Sequence, residues 1–264
     1  MAFEYASRAT KGARSYQEDA AVVQAGAGGQ LVPAAGGDVA ALTAILADGM
    51  GGHAGGALAS STACTVFLRA YATSAGDMTA DVPTRLDEAL KLANAAIGQC
   101  VEQNPALDGM GCTLIGTVFG PAGVEWVSVG DSPLFLLRHG EIVLLNEDDS
   151  LAPEIDKLAA AGRMSWDDAK ADPRRHFLRS ALTGTEMDLI DRSRRPLALE
   201  PGDVVILSSN GIHTLSEPDI LRLVTGSAVH GCEAIADTLI AAVDAAGDLY
   251  QDNTTVVVVR VTGA

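Results

Sequence analysis

Acidic side chains recur in five short segments of this 264-residue chain, and one segment carries an amide where the pattern calls for another acid. The segments are Arg14-Ser15-Tyr16-Gln17-Glu18-Asp19, Asp48-Gly49-Met50-Gly51-Gly52-His53, Val129-Gly130-Asp131-Ser132, Ser208-Ser209-Asn210-Gly211-Ile212 and Asp252-Asn253-Thr254-Thr255. Most of the acids adjoin apolar, strand-like runs. Oxygen ligands offered by several strand ends are what Mg²⁺ or Mn²⁺ requires. A pair of such ions can activate a water and stabilise charge developing on a phosphoryl group. The pattern reads as a hard-metal site that handles phosphate, with Asn210 as its odd member.

Each segment also has a plainer explanation. Glu18 and Asp19 precede the apolar run 20–23, and such a pair alone is usually a solvated strand end. Asp48 is more telling, because it ends an apolar run and enters Gly49-Met50-Gly51-Gly52. Glycines let backbone approach a ligand closely, and the Gly49 carbonyl can coordinate a cation. A simple tight turn is the alternative there. Asp252 sits at the start of the final apolar run, and Asn210 follows the run 204–207.

Composition narrows the partners. The formal charge is -16, which repels nucleic acid and anionic membrane. It also repels a phosphorylated substrate, so a phosphate site needs local positive charge from metal or arginine. A high acid count by itself also describes an ordinary soluble surface. The four cysteines, Cys64, Cys100, Cys112 and Cys232, form no C-x-x-C pair, which argues against a zinc knuckle. There is no basic segment leading into an apolar signal run, and no apolar run spans a membrane. Free thiols in a reducing cytoplasm are the expectation.

The elements that must position these residues follow from local pattern. With 48% hydrophobic residues but only 4% aromatics, the core must be built from Ala, Val, Leu and Ile. Residues 26–37 read as a Gly/Ala-rich loop, and 39–47 as a buried strand ending at Asp48. Helices are expected over 54–73 and from Pro83 to about Gln103. Short strands over 112–119, 124–129, 134–138 and 141–145, separated by Gly-containing turns, suggest an antiparallel meander. Short helices follow at 153–161 and 165–171, then strands at 187–190 and 204–208. Helices over 217–224 and 232–246 precede a last strand, 254–261, rich in Val and Thr. Strands mixed with helix pairs, without regular βαβ alternation, imply an α+β fold over an antiparallel core. A single domain over 1–264 is expected.

The motifs together resemble one family. Arg-x-x-x-Glu-Asp, Asp-Gly-Met-Gly-Gly-His, Gly-x-Thr, Val-Gly-Asp-Ser, Ser-x-Asn-Gly and Asp-Asn-x-Thr-Val occur in the order found in the metal-dependent protein phosphatases of the PPM, or type 2C, class. Short bacterial members are the most similar. The resemblance implies an αββα sandwich, with two antiparallel sheets between helical layers. It implies that Asp48 bridges two Mn²⁺ or Mg²⁺ ions, that Glu18 and the Gly49 carbonyl complete one of them, and that Asp252 and Asn210 hold the other. Asp19 would orient metal-bound water, Arg14 would bind the substrate phosphate, and Asp131 would help hold a weaker third ion. Residues 151–179 correspond to a mobile flap implicated in substrate choice. The implied reaction is one-step hydrolysis of phosphoserine or phosphothreonine in proteins by a metal-bridging hydroxide. The implied setting is a cytoplasmic, monomeric enzyme opposing a Ser/Thr kinase in signalling.

The departures from that pattern carry information. Position 210 is Asp in typical members, and the Asn here removes one negative charge from the site. An amide oxygen is a weak neutral ligand, and its NH₂ group can face the wrong way. Reduced metal occupancy, or a phosphoprotein-binding pseudophosphatase, is the alternative to a fully active enzyme. A second alternative is a phosphatase specialised for anti-sigma-factor antagonists. Met50 stands where eukaryotic members often have a His proposed as general acid, and it cannot donate a proton. His53 reads as structural. Pro133 and Asp149 replace a common Arg and His, at positions expected to lie away from the metal ligands and to affect packing or the flap. The basic clusters Arg174-Arg175-His176 and 192–195 stand out in an acidic chain. The first is either a docking element on the flap or a solvated face with local ion pairs.

Overall fold

The computed structural model describes residues 1–26, 39–52, 54–74 and 81–263. The expected loop beyond Gly26, and His53, lie outside the described residues. The frame is two five-stranded antiparallel sheets stacked face to face. The first contains β1 (Ala2–Thr10), β8 (Leu134–Arg138), β9 (Glu141–Leu144), β11 (Val204–Ser208) and β12 (Thr254–Gly263), in the order β1-β12-β11-β8-β9. The second contains β2 (Ala20–Ala25), β3 (Leu42–Ala47), β6 (Leu114–Gly120), β7 (Gly123–Val129) and β10 (Asp191–Arg192), in the order β10-β7-β6-β3-β2. A small ladder joins β4 (Gly49–Met50) to β5 (Gly111–Cys112).

Strand periodicity explains the layers. Successive side chains on a strand point to opposite faces. In β3, Leu42, Ala44 and Leu46 enter the core between the sheets, while Ile45 and Ala47 face the helices. In β12, Val257 and Val259 face inward and Val256 and Val258 face outward. Both faces are covered, so these strands read as unbroken apolar runs rather than alternating ones. Helices α1 (Ala54–Ser74) and α2 (Val82–Gln103) cover the second sheet through Phe67, Leu90 and Ile97. Helices α5 (Glu217–Ser227) and α6 (Cys232–Ala246) cover the first through Ile220, Ile235 and Leu239. Few aromatics enter the sheet interface, where Phe3 meets Phe119 edge to face at 5.6 Å between ring centres. The αββα sandwich and the α+β class stand as expected.

Local pattern misplaced several elements. The expected meander is divided between the sheets: β6 and β7 pair in one, β8 and β9 in the other, and the chain crosses at Gly130-Asp131-Ser132-Pro133. The run 112–119 is likewise two strands, because Thr113 turns away to bond Asp48. Residues 187–190 form no strand, and the ladder to β7 begins only at Asp191–Arg192. The strand expected over 39–47 begins at Leu42. The N-terminal strand β1 went unread, since its small and charged residues mask an alternation that only pairing with β12 makes plain.

Residues 151–179 form a small subdomain of α3 (Ala152–Ala160), α4 (Trp166–Ala171) and a 3₁₀ turn at Pro173–His176. It has its own core of Ile155, Ala159 and Ala169. The Arg174 and Arg175 guanidiniums pair with Asp172 at 2.6 Å and Asp156 at 2.5 Å within the same segment. That favours local ion pairing over docking for this cluster. The four cysteines are unpaired, and Cys64, Cys112 and Cys232 are buried. No helix among the described residues is long and apolar enough to cross a membrane.

Candidate metal centre

Antiparallel pairing brings all five acidic segments to one end of the sandwich. Ala20 pairs with Ala47, so Glu18 and Asp19 precede β2 beside the point where Asp48 leaves β3. Ser208 pairs with Val256, which sets Asn210 after β11 beside Asp252 before β12. β7 runs in the same direction as β3 and delivers Asp131 to that end. Arg14, Glu18, Asp48, Gly49, Asp131, Asn210 and Asp252 line one cleft of about 870 Å³. Asp19 lies behind them, against Ser209 and Thr255.

The turn that carries Asp48 is held at backbone level. Thr113 donates its N–H to the Asp48 carbonyl at 2.9 Å, and its hydroxyl accepts the Asp48 N–H at 3.0 Å. The same hydroxyl meets Ser132 Oγ at 2.7 Å, tying Asp48 to the Asp131 turn. Gly49 and Gly56 make room for this packing. A Cβ on Gly49 would strike the carbonyls of Gly56 and Glu18, and one on Gly56 would strike Glu18 Oε1. The third tie is Asn253. Its Oδ1 accepts the Glu18 N–H at 2.8 Å, while its amide donates to the Lys11 and Tyr16 carbonyls. Thr113 and Asn253 were visible only as members of the Gly-x-Thr and Asp-Asn motifs, and their positioning work was not read from the sequence.

Several carboxylate oxygens are left without a donor. Among the described residues, five buried side-chain polar atoms lack a hydrogen-bond partner, and three are Glu18 Oε1, Asp19 Oδ1 and Asp131 Oδ1. Buried polar atoms are normally satisfied, so three unpaired acid oxygens beside one cleft mark a place for cations. Burial pushes the Asp19 carboxyl up to about 6, against the opposing hydroxyls of Ser209 and Thr255. Burial first, then the neighbouring Asp19, Asp131 and Asp252, pushes Asp48 well above the usual range, while the Asn210 backbone N–H opposes this. Asp131 is also raised by burial, partly offset by the Asn210 amide. Among the described residues, no three His, Cys, Asp or Glu side chains already converge as a metal cage. A hard cation does not require one, since Mg²⁺ keeps several waters and takes one or two carboxylates. This donor set also draws on the Gly49 carbonyl and the Asn210 amide. The residues fit hard divalent ions.

Two contacts bear on how the site works. Arg14 donates to Asp252 Oδ2 at 2.8 Å, with both side chains about half exposed. Asn210 turns its Nδ2 to Asp131 Oδ2 at 3.2 Å. Asp149 packs behind the cleft: its carboxylate accepts the Gly130 N–H at 3.1 Å, and its carbonyl accepts the Arg179 N–H at 2.8 Å. It therefore links the Asp131 turn to the end of the 151–179 segment, a packing contact of the kind expected there.

The raised carboxyls fix a sign for pH dependence. A carboxyl raised by folding favours the folded state while protonated, and that contribution is lost as pH rises through its folded value. In EDTA-treated protein, the Asp19 contribution fades as pH rises from about 4 through about 6, and the raised Asp48 carboxyl acts in the same direction. The melting temperature should fall by several degrees between pH 5 and pH 7.5. Excess Mn²⁺ should restore it at pH 7.5, and Asp19→Asn should flatten the slope. Scanning calorimetry checks this, and a flat profile in the unsubstituted protein rejects it.

A sequence model of the protein phosphatase 2C family matches residues 34–228. The chain belongs to that family. It is similar to the serine/threonine protein phosphatase PstP of Mycobacterium tuberculosis, with 36% identity over 173 residues, covering 66% of this chain and 31% of that protein. The chain thus matches about a third of the length of PstP. It is also similar to the serine/threonine phosphatase stp of Listeria monocytogenes, 32% identical over 169 residues, covering 64% of this chain and 65% of that one. The crystal structure of M. tuberculosis PstP superposes with a TM-score of 0.78 at 30% identity, covering all of both chains. A structure of the PstP catalytic domain in complex with two manganese ions gives a TM-score of 0.74 at 32% identity, covering 99% of each chain.

Proposed function

We propose that residues 1–264 form one catalytic domain of a metal-dependent phosphoserine/phosphothreonine protein phosphatase. The observation that carries this reading is the gathering of Glu18, Asp48, Asp131 and Asp252 at one cleft, with buried acid oxygens unpaired. Asp48 would be shared between two ions, with Glu18 and the Gly49 carbonyl helping to hold one and Asp252 and Asn210 the other. Asp131 would help hold a third. Mn²⁺ and Mg²⁺ both suit this oxygen set. When bound, such ions neutralise charge on the phosphoryl group and acidify water for one-step hydrolysis.

The chain's own residues supply binding and orientation. Arg14 offers a planar guanidinium suited to two phosphate oxygens. It rests on Asp252 Oδ2, from which a phosphate would draw it. Asp19 is held by Ser209 and Thr255 through Oδ2, leaving Oδ1 to orient water. Met50 lines the cleft and has no proton to give, so the leaving oxygen takes its proton from water or another lining group. A cytoplasmic monomer opposing a Ser/Thr kinase is the setting that the resemblance supports.

A second reading rests on Asn210. Its amide occupies an Asp131 oxygen that would otherwise face an ion, which favours a metal-poor phosphoprotein-binding module. Hydrolysis of p-nitrophenyl phosphate and a phosphothreonine peptide, with Mn²⁺ and with EDTA, separates the two. Metal-dependent turnover of both substrates is expected. Turnover of neither, with phosphopeptide binding retained, would establish the binding module instead.

A further inference from the structure

Positive charge gathers in a second cleft, of about 620 Å³, that the metal centre does not use. Arg138, Arg192, Arg194 and Arg195 line it, and Trp126 forms one wall. It lies toward the other end of the sandwich. Arg138 ends β8, whose first residue lies at the metal end, and Leu197 in the cleft wall pairs with Val124 at the start of β7. The rise of β7 puts it roughly 15–20 Å from Asp131.

Two of the arginines are committed elsewhere. Arg138 grips Asp203 with two hydrogen bonds, at 2.9 and 2.5 Å, and Arg192 donates to Asp87 at 2.6 Å. Asp191, the acid in the cleft wall, accepts the Trp126 indole N–H at 2.9 Å. Arg194 and Arg195 are exposed and make no ion pair or hydrogen bond with any described residue. In a chain of formal charge -16, two adjacent uncommitted guanidiniums beside an indole are a local exception. Their planar forks match phosphate oxygens two at a time.

We infer that Arg194 and Arg195, with Trp126 as a wall, form a second docking site for a phosphate carried on a polypeptide. Its ligand class rests on the proposed phosphatase reading. A multiply phosphorylated substrate would dock one phosphate here and present another to the metal centre, raising the local concentration of the second. An extended chain rises at most about 3.5 Å per residue, so bridging needs at least about five residues between phosphates.

Trp166→Phe leaves Trp126 as the sole tryptophan, so its fluorescence reports on this cleft without turnover. The EDTA-treated variant is titrated with a phosphoserine peptide and with the same peptide carrying Glu instead. A saturable, salt-sensitive change with the phosphopeptide is expected, at least tenfold weaker in Arg194→Ala/Arg195→Ala and less weakened in Arg194→Lys/Arg195→Lys. No change, an unchanged response in the alanine variant, or equal binding of the Glu peptide overturns the inference. A second measurement compares doubly phosphorylated peptides with two and twelve intervening residues. The alanine variant should lower kcat/KM about tenfold for the long spacing alone and leave p-nitrophenyl phosphate unaffected. Equal loss at both spacings, or none at either, overturns tethering. Should the chain hydrolyse neither substrate, the fluorescence titration still decides whether the site exists.

Discussion

Asp48→Asn should reduce hydrolysis by on the order of 10³-fold or more, while making the metal-free protein more stable. The two effects share one cause. Burial and the neighbouring Asp19, Asp131 and Asp252 all oppose ionisation of this carboxyl. An unneutralised charge at such a place costs stability, and a neutral isostere removes that cost. The same charge, shared between two divalent ions, is what the proposed centre most depends on. Asn keeps the shape and the Asn210 N–H contact is local, so misfolding is not the expected route to inactivity. Calorimetry in EDTA should show a melting temperature several degrees above that of the unsubstituted protein. Adding Mn²⁺ should raise it far less than in the unsubstituted chain. Retained turnover, or an unchanged response of melting to Mn²⁺, would sink the assignment of Asp48 as the shared ligand.

Asn210→Asp should act in the opposite direction. A carboxylate in place of the amide adds one negative charge where the proposed centre would hold cations. At an effective dielectric near 20, a unit charge about 4 Å from another is worth about 4 kcal/mol. A tenfold drop in the Mn²⁺ concentration giving half-maximal activity corresponds to about 1.4 kcal/mol and is a modest demand. Turnover at limiting Mn²⁺ should rise accordingly. Without metal the variant should melt lower, because the 3.2 Å amide contact to Asp131 becomes a meeting of two acids. Mn²⁺ titration of hydrolysis and calorimetry in EDTA measure the two halves separately. If neither moves, Asn210 simply preserves the turn that begins the 3₁₀ segment Asn210–Thr214, and the remaining ligands suffice.

The site was legible to the extent that chemistry and local sequence coincide. Arg14, Glu18, Asp19, Asp48, Gly49, Asp131, Asn210 and Asp252 all reach one end of the sandwich, and strand ends flanked by glycine already marked several of them. What escaped notice were residues that act through hydrogen bonds to distant backbone. Thr113 holds Asp48 across 65 positions, and Asn253 holds Glu18 across 235. Such bonds have no signal in composition or periodicity. The bond from Gly130 to the Asp149 carboxylate is of the same kind, since only folding brings the two together.

A similar division holds for the fold. Helices α1, α2 and α6 and strands β11 and β12 could be read locally, because a long apolar pattern and its caps are properties of neighbouring residues. Whether a strand joins one sheet or the other is not such a property. β7 and β8 are both short apolar runs, yet Gly130-Asp131-Ser132-Pro133 carries the chain from one sheet to the other, and β1 becomes a strand by pairing with β12. Sequence alone therefore picked out the acids that meet at this cleft, the α+β class and the family resemblance. Tertiary structure settled how antiparallel registers place those acids against one another, which oxygens are left unpaired, and that Asn210 turns its amide to Asp131. Those outcomes depend on distances between segments remote along the chain, which packing alone sets.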